Sequence, residues 1–328
     1  AGITRTRFGI AGVMKPLHGE RDQNTRITDS DGRQYVLKIS GATEKPESVD
    51  FQVGALLHIQ ETDPQLPVPH LVPGTNGDVV QVIELGGVAN QVRLVTYLSG
   101  IPFIEGPFPS EAGLRNFGSA IARLSNALKG FTHPASREFM AWDIGNGLVF
   151  SDQFRDLIPG SARSICIPLI DRIEEIVYPQ MAQLRQQVIH QDGHGGNVLR
   201  PDNDSDEVSG IIDFGDMVHG PVLSDLAISV SHFIESGRNP LAVARAICAG
   251  FESVVPLTDE ENDLLLDLVI TRQILTLQLF EFRRVHMPDK PAIDQEEKPR
   301  IIRSLERLAS LDRHAFAAGL RKRVECEY

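Results

Sequence analysis

Two short polar stretches, each emerging from an apolar run, constrain this chain more than any other part of it. The first covers residues 190–199 and carries Asp192 and Asn197, and the second covers residues 211–216 and carries Asp213. Polar side chains that leave short apolar runs in this way are typical of functional loops that begin at buried strands. We therefore expect buried strands to present these side chains at one site.

The spacing of these residues fits phosphoryl transfer, with an Asn five positions after the first Asp and a second Asp about twenty residues further on. In that chemistry Asp192 accepts a proton from a hydroxyl nucleophile, while Asn197 and Asp213 hold Mg²⁺ against the phosphates of a nucleotide. The acidic turn at residues 201–207 predicts a β-hairpin that brings Asn197 and Asp213 together. Asp213 as an ordinary strand-end cap is the alternative, but the agreement of the three residues favours the metal role.

The two stretches also resemble a known family. His-x-Asp-x-x-x-x-Asn at residues 190–197, followed by Ile-Asp-Phe-Gly-Asp at residues 212–216, resembles the aminoglycoside phosphotransferase and choline kinase family, the small-molecule relatives of protein kinases. The segments at 20–24, 35–39 and 213–221 are most similar to the hydroxylysine kinase branch. The resemblance covers nearly the whole chain. It implies an α+β, two-lobed protein-kinase-like fold with the active site between the lobes.

A Gly- and Pro-rich stretch at residues 99–109 divides the chain, because such residues break regular structure. Strand patterns and a hairpin signal before it predict a β-rich N-terminal lobe over residues 1–98. Helical periodicity after it predicts a larger, mostly helical C-terminal lobe over residues 110–328. The family resemblance implies that the first lobe binds the nucleotide and that the second carries catalysis and substrate binding. Residues 99–109 then form the hinge or linker.

Composition narrows the class of protein. With 328 residues, of which 41% are hydrophobic and 23% are charged, the chain can build one large or two medium globular domains. A formal net charge of −12 argues against nucleic acid as a partner. The same charge is compatible with a cationic substrate or simply with solubility.

The cellular setting is predicted from cysteine usage and hydropathy. Cys166, Cys248 and Cys326 are far apart and include no CxxC pair, so no disulfide framework is expected. We find no run of eighteen apolar residues and no apolar signal-peptide core, which argues against a membrane partner. We therefore expect a cytoplasmic protein. No feature of the sequence specifies its oligomeric state.

The nucleotide site is expected around Lys38, which lies inside the apolar strand pattern of residues 35–39. A lysine in such a pattern either extends from an edge strand into solvent or pairs with an anion, and the downstream motifs favour contact with nucleotide phosphates. The family resemblance implies that the preceding loop, with Gln23 and Asn24, covers those phosphates. Only Gly19 gives this loop glycine freedom, so spacing alone describes an ordinary turn.

The family resemblance implies that Thr96, Tyr97 and Leu98 form the hinge whose backbone meets the edge of the nucleobase. Backbone recognition leaves no side-chain signature, so either ATP or GTP remains the expected nucleotide.

Relatives also place a glutamate on the helix after the lysine strand, where it orients the lysine. The predicted helix at residues 46–61 offers Glu47, Asp50 and Gln52 for this role. We assign it to Glu47. The alternative is that all three side chains face solvent.

The substrate is expected to be a small molecule with a hydroxyl and an amine. Trp142 beside Asp143 can cradle an ammonium group by cation–π and ion-pair contact, and Asp216 can face the substrate hydroxyl or amine. Equally, Trp142 can be a packed core residue and Asp143 a helix cap. The hydroxylysine kinase resemblance implies an amino alcohol or a hydroxylated amino acid. An aminoglycoside, choline, homoserine or a sugar remains an alternative within the family.

The predicted activity is transfer of the γ-phosphoryl group of ATP or GTP to a hydroxyl, with Mg²⁺. Lys38 positions the phosphates and Asp192 takes the proton, without needing a raised pKa because the proton leaves late in a loose transition state. A non-catalytic nucleotide-binding scaffold is a second hypothesis, and the intact set of motif residues argues against it. A third, a zinc hydrolase built on His190 and His194, needs that spacing on a helix, whereas the neighbouring glycines predict a loop.

Overall fold

The computed structural model describes residues 2–19, 22–41, 44–146, 151–234, 237–287 and 297–322. Glu20 and Arg21, which belong to the expected phosphate-covering loop, lie outside the described residues, as does Cys326.

The N-terminal part is an antiparallel sheet preceded by helix α1 (Gly2–Phe8). Its strands are β1 (Gly12–Leu17), β2 (Gln23–Asp29), β3 (Gln34–Ile39), β4 (Leu71–Val72), β5 (Val80–Leu85) and β6 (Val88–Thr96). They run in the order β1-β2-β3-β6-β4, and β5 also pairs with β6. The predicted hairpin between β2 and β3 is confirmed. Asp29 Oδ1 accepts from the amides of Asp31 and Arg33, and Gly32 takes the positive φ of 81° that the turn requires.

Helix α2 (Pro46–Thr62) connects this sheet to the rest of the molecule. Phe51, Ala55 and Ile59 of α2 belong to the large hydrophobic core of the C-terminal part. The sheet has its own small core instead, in which Phe8 of α1 contacts strand residues such as Ile27. Because α2 is packed mainly against the C-terminal core, it ties the N-terminal sheet to the C-terminal part.

The C-terminal part is mostly helical. Its helices are α3 (Glu111–Ala127), α4 (Ser151–Leu157), α5 (Arg163–Arg172), α6 (Tyr178–Met181), α7 (Val222–Ile234), α8 (Pro240–Glu252), α9 (Asp259–His286), α10 (Glu297–Ala309) and α11 (Arg313–Arg321). Its short strands are β7 (Ile101–Pro102), β8 (Gln186–Ile189), β9 (Val198–Arg200), β10 (Gly210–Ile211) and β11 (Val218–Pro221). A β-rich N-terminal region thus precedes a larger helical region, which confirms the predicted α+β, two-lobed protein-kinase-like fold.

Local sequence signals account for several helix ends. Ser110 caps α3 through the amide of Gly113, and Thr258 opens α9 with a capping box. Residues 163–181 form a continuous helical stretch made of α5, a π-helical turn over Ile173–Val177, and α6. Prolines inside this region lack the amide that regular helical hydrogen bonding needs, which favours such an interruption.

The buried carboxylate of Asp267 anchors helix α9 to two neighbouring helices. Asp267 accepts from Arg172 of α5 at 3.0 and 2.7 Å and from Arg313 of α11 at 2.7 Å. Charge-assisted hydrogen bonds of this kind hold three helices in a fixed arrangement. The residues of α9 beyond Asp267 are therefore set firmly against the catalytic loop.

Within the described ranges, we find no helix that combines the length and the apolar character needed to cross a bilayer.

Candidate active site

The catalytic loop begins where β8 ends and returns through β9. Asp225 of α7 is fully buried beneath it, and its two oxygens accept from the amides of His190 at 3.1 Å and Gln191 at 2.7 Å. Burial raises the pKa of the Asp225 carboxyl to about 6, while these two hydrogen bonds favour its charged form. Asp225 thus braces the loop, since one carboxylate fixes two of its consecutive backbone amides.

Replacing Asp225 with Asn should lower the free energy of unfolding by about 2 kcal/mol, since only one side-chain oxygen then remains for two buried amides. Activity should fall as well, because the loop loses its anchor. Denaturant unfolding and initial-rate assays measure the two effects. Asp312→Asn is the matched control, because that exposed carboxylate accepts only one amide, that of Ala315, at the start of α11. An Asp225→Asn protein with unchanged stability would contradict the bracing role.

Two histidines stabilise the loop from within. The amide of Asp192 donates to Nδ1 of His190 at 3.3 Å, and the amide of Gly196 donates to Nδ1 of His194 at 2.9 Å. His190 is fully buried against the ring of Phe214. Both rings therefore use one nitrogen to hold the loop backbone, as expected for His190.

The hairpin of β9 and β10 brings the motif residues together. Asn197 Nδ2 donates to Asp192 Oδ2 at 2.6 Å, and the amide of Ile212 donates to the carbonyl of Asn197 at 2.9 Å. Asp213 follows directly, in the left-handed conformation with φ 66° and ψ 76°. Among the described non-glycine residues, only Gln191 and Asp213 have positive φ, and such backbone strain is concentrated at functional sites.

Asp192 is held at the centre of this arrangement. Burial raises its pKa to about 8, Arg272 opposes that rise, and the nearby charges of Asp216 and Asp213 add to it. Arg272 Nη2 lies 3.5 Å from Asp192 Oδ1, and His194 Nε2 lies 3.4 Å from the same oxygen. Since Nδ1 of His194 accepts a hydrogen bond, Nε2 carries the proton and points it at Asp192. The sequence-based hypothesis did not require a raised pKa for Asp192, and the rise follows from how fully the surrounding elements enclose the carboxylate.

A cavity of about 570 Å³ opens between the sheet and the helical region, a volume typical of small-ligand sites. Six of the residues predicted for the site line it: Asn24, Lys38, Asp192, Asn197, Asp213 and Asp216. Six others do not line it: Gln23, Glu47, Thr96, Tyr97, Leu98 and Asp143.

The partner of Lys38 is Asp22, which corrects the assignment of Glu47. Lys38 Nζ lies 3.5 Å from Asp22 Oδ2, and Arg93 Nη2 contacts the same oxygen at 2.9 Å. Glu47 is exposed in the first turn of α2. Gln52 lies five residues after Glu47 on α2, so its side chain points about 140° away from that of Glu47 around the helix axis. Gln52 therefore faces inward and accepts a hydrogen bond from Arg93 at 2.6 Å.

Asp22 and Arg93 were missed by sequence reasoning. Arg93 lies directly opposite Lys38 in the pairing of β3 with β6, and its side chain is almost fully buried. The signal was available, because Arg93 interrupts an apolar strand pattern just as Lys38 does. Burial lowers the pKa of Arg93, and the charge of Asp22 is the largest influence opposing that change. The two cations and Asp22 form one charged cluster at the end of the cavity that the sheet forms.

The segment Thr96–Leu98 leads out of β6 and stays a predicted hinge. The backbone amide of Thr96 donates to the backbone carbonyl of His70 at 2.8 Å, and that of Tyr97 donates to the backbone carbonyl of Gln34 at 3.0 Å. These two amides are therefore engaged within the sheet.

The expected ammonium cradle of Trp142 and Asp143 is not formed. Asp143 Oδ1 accepts from the amide of Gly145 at 2.9 Å and so caps a short 3₁₀ turn, the role named as its alternative. The guanidinium groups of Arg272 and Arg283 lie over the Trp142 ring, with their central carbons 5.1 and 5.4 Å from its centroid. The protein's own cations thus occupy the aromatic face. These arginines lie more than 120 residues from Trp142, so no local pattern could reveal them.

Comparison with known proteins agrees with this geometry. Residues 13–257 match the model of the phosphotransferase enzyme family. Hydroxylysine kinase of Mus musculus is 30% identical over 296 residues, which are 83% of this chain and 78% of that protein. Hydroxylysine kinase of Danio rerio is 28% identical and covers 94% of this chain and 90% of its own length.

Solved structures show the same fold at low identity. A microcompartment-associated aminopropanol kinase superposes with a TM-score of 0.69 at 18% identity and covers 97% of both chains. Amicoumacin kinase superposes with a TM-score of 0.68 at 16% identity, over 92% of this chain and 91% of its own. Together with the matched family model and the cavity, these likenesses show that the chain is a phosphotransferase and belongs to the phosphotransferase enzyme family.

Proposed function

We propose that this enzyme transfers the γ-phosphoryl group of ATP or GTP to a hydroxyl of an amino alcohol or a hydroxylated amino acid of the hydroxylysine type. The observation that carries the proposal is the shared cavity, in which Lys38 from the sheet faces Asp192, Asn197 and Asp213 from the helical region. Phosphoryl transfer depends mainly on positioning and charge neutralisation, and these cavity-lining side chains supply groups for both.

The nucleotide occupies the side of the cavity formed by the sheet. Lys38 contacts the phosphates. Asp22, just before β2, pairs with Lys38 and is itself held by Arg93 of β6. Asn24, which lines the cavity from β2, covers the phosphates. Thr96, Tyr97 and Leu98 form the hinge, with residues 1–98 as the nucleotide-binding lobe, 99–109 as the linker and 110–328 as the catalytic lobe. The pairing of β7 with β9 supports this division, because it docks the linker on the catalytic region.

The residues at the catalytic loop fit Mg²⁺. Hard oxygen donors are the ligands this ion prefers, and Asn197 and Asp213 supply an amide oxygen and a carboxylate. Asn197 Nδ2 is engaged by Asp192, and Asp213 Oδ1 accepts from the amide of Gly215 at 3.4 Å. These contacts leave Oδ1 of Asn197 and Oδ2 of Asp213 as the donor atoms for the ion. When bound, Mg²⁺ neutralises charge on the transferred phosphoryl group.

Asp192 aligns the acceptor hydroxyl and takes its proton. Its Oδ2 is held by Asn197, while its Oδ1 faces the cavity between Arg272 and His194. Asp216, which also lines the cavity, contacts the substrate amine.

The buried thiols of Cys166 and Cys248, neither of them in a disulfide, support a cytoplasmic setting.

The substrate class follows relatives that match most of this chain, such as the hydroxylysine kinases of Mus musculus and Danio rerio. We expect Mg²⁺-dependent phosphorylation of hydroxylysine in an assay that pairs ATP and GTP with hydroxylysine, homoserine, choline, aminopropanol and an aminoglycoside. Exclusive phosphorylation of the aminoglycoside would replace the proposed substrate class. Magnesium-dependent nucleotide binding without transfer to any of them would contradict the proposal.

A further inference from the structure

Helix α9 presents a positively charged strip to the cavity opposite the nucleotide side. Arg272 and Arg283 are eleven residues apart, about three helical turns, and therefore lie on the same face of α9. Thr276 of the same helix lines the cavity between them. Neither arginine belongs to the sequence motifs of phosphoryl transfer, and both line the cavity.

The ring of Trp142 holds these two guanidinium groups in place. Both lie within cation–π distance of it, and Arg272 Nη1 also donates to the carbonyl of Trp142 at 3.1 Å. The two guanidinium groups place two positive charges beside one aromatic ring, and such a pair attracts a bound anion. An arrangement first expected to receive a cation therefore presents guanidinium N–H groups instead.

The position of Arg272 and Arg283 relative to Asp192 determines which part of a bound substrate these arginines contact. Arg272 links Asp192 to the Trp142 ring, since its Nη2 lies 3.5 Å from Asp192 Oδ1 while its guanidinium group lies over Trp142. Because Arg283 lies over the same ring and lines the same cavity, a substrate whose hydroxyl contacts Asp192 shares that cavity with both guanidinium groups. Arginine presents a planar fork of N–H donors that matches a carboxylate with two parallel hydrogen bonds.

The same cavity also carries negative charge for an amine. Asp216 and Glu297 line it together with Arg283. A ligand with one carboxylate and one ammonium group can satisfy both signs of charge, whereas a simple amino alcohol leaves the arginines without a substrate anion. The charges of the wall thus favour a zwitterionic amino acid.

We propose that Arg283 and Arg272 bind the carboxylate of a hydroxylated amino acid, with Arg283 as the main ligand and Arg272 fixing its distance from Asp192. This assignment rests on the proposed function and selects, within it, hydroxylated amino acids over amino alcohols that lack a carboxylate.

The test compares hydroxylysine with its primary amide, which keeps the hydroxyl and both amines but carries no carboxylate charge. For the unmodified enzyme we expect kcat/KM to be about 100-fold higher with hydroxylysine than with the amide. Arg283→Gln should lower kcat/KM for hydroxylysine about 30-fold, mainly through KM, and change the value for the amide less than about 3-fold. Arg283→Lys should recover part of the loss.

Arg284→Gln is the matched control. Arg284 is the next residue on α9, is 65% exposed in its side chain and contacts Glu281 at 2.9 Å. Arg284→Gln should leave kcat/KM unchanged for both hydroxylysine and its amide. Equal use of hydroxylysine and its amide by the unmodified enzyme, or equal losses for both in Arg283→Gln at unchanged melting temperature, would overturn the carboxylate site.

Calorimetric binding separates this inference from the proposed reaction. If no phosphoryl transfer occurs, preferential binding of hydroxylysine over its amide that is lost in Arg283→Gln supports the carboxylate site and overturns only the reaction. Equal binding of the two compounds, or no binding of either, overturns the carboxylate site.

Discussion

Asp192→Asn should reduce kcat by about 10³-fold while leaving nucleotide affinity nearly unchanged. The amide keeps the shape of the carboxylate but cannot accept the proton of the acceptor hydroxyl. It also loses the negative charge that faces Arg272 at 3.5 Å. Because the nucleotide is expected on the opposite side of the cavity, binding and catalysis should separate cleanly in this variant.

Single-turnover kinetics and calorimetric titration with a non-hydrolysable nucleotide measure the two quantities. Asp204→Asn is a suitable control, because Asp204 is an exposed carboxylate in the turn between β9 and β10. Transfer that persists in Asp192→Asn at more than about a tenth of the original rate is incompatible with Asp192 as the base. A parallel loss of nucleotide affinity would instead indicate that the whole loop had moved.

Asp213→Asn should lower kcat/KM about 10³-fold and raise the Mg²⁺ concentration required for half-maximal activity. Asn is the informative substitution, because it tolerates the left-handed conformation that Asp213 adopts at φ 66°. Its side-chain oxygen can still accept from the amide of Gly215, so the turn should survive. The variant therefore removes a metal-binding charge without the backbone strain that Ala would add.

A magnesium titration at saturating nucleotide distinguishes this variant from Asp192→Asn. Asp213→Asn should shift the magnesium requirement, whereas Asp192→Asn should lower the plateau without shifting it. Asp202→Asn, in the exposed acidic turn, serves as the control for loss of one carboxylate nearby. An unchanged magnesium requirement in Asp213→Asn would exclude this carboxylate as a ligand of the ion.

The motif residues were predictable because their geometry is largely local. Asp192 and Asn197 belong to one loop, and a short hairpin carries the chain from Asn197 to Asp213. Pairing of β9 with β10 then brings these side chains together without help from distant elements. Capping residues such as Ser110 were predictable for the same reason, since a cap bonds amides within the next turn.

The errors concern contacts between elements that are far apart in the chain. Glu47 was chosen for Lys38 by position on a helix, whereas Asp22 reaches Lys38 from the residue just before β2. Trp142 beside Asp143 suggested an ammonium site, and helix α9, more than 120 residues later, covers the ring with its own cations. Neither outcome is encoded in spacing, because each depends on which surfaces the packed core brings together.

The sequence by itself determined the fold class, the family and the residues expected to transfer the phosphoryl group. Hydrophobic periodicity, turn chemistry and short-range motif spacing act over a few residues, and they are legible without a structure. Only the tertiary structure decided the environment of these residues: Arg272 and His194 against Asp192, Asp22 against Lys38, and Arg283 at the wall of the same cavity. The physical reason is that burial and ion pairing depend on three-dimensional distances, which packing sets between residues that lie far apart in the chain.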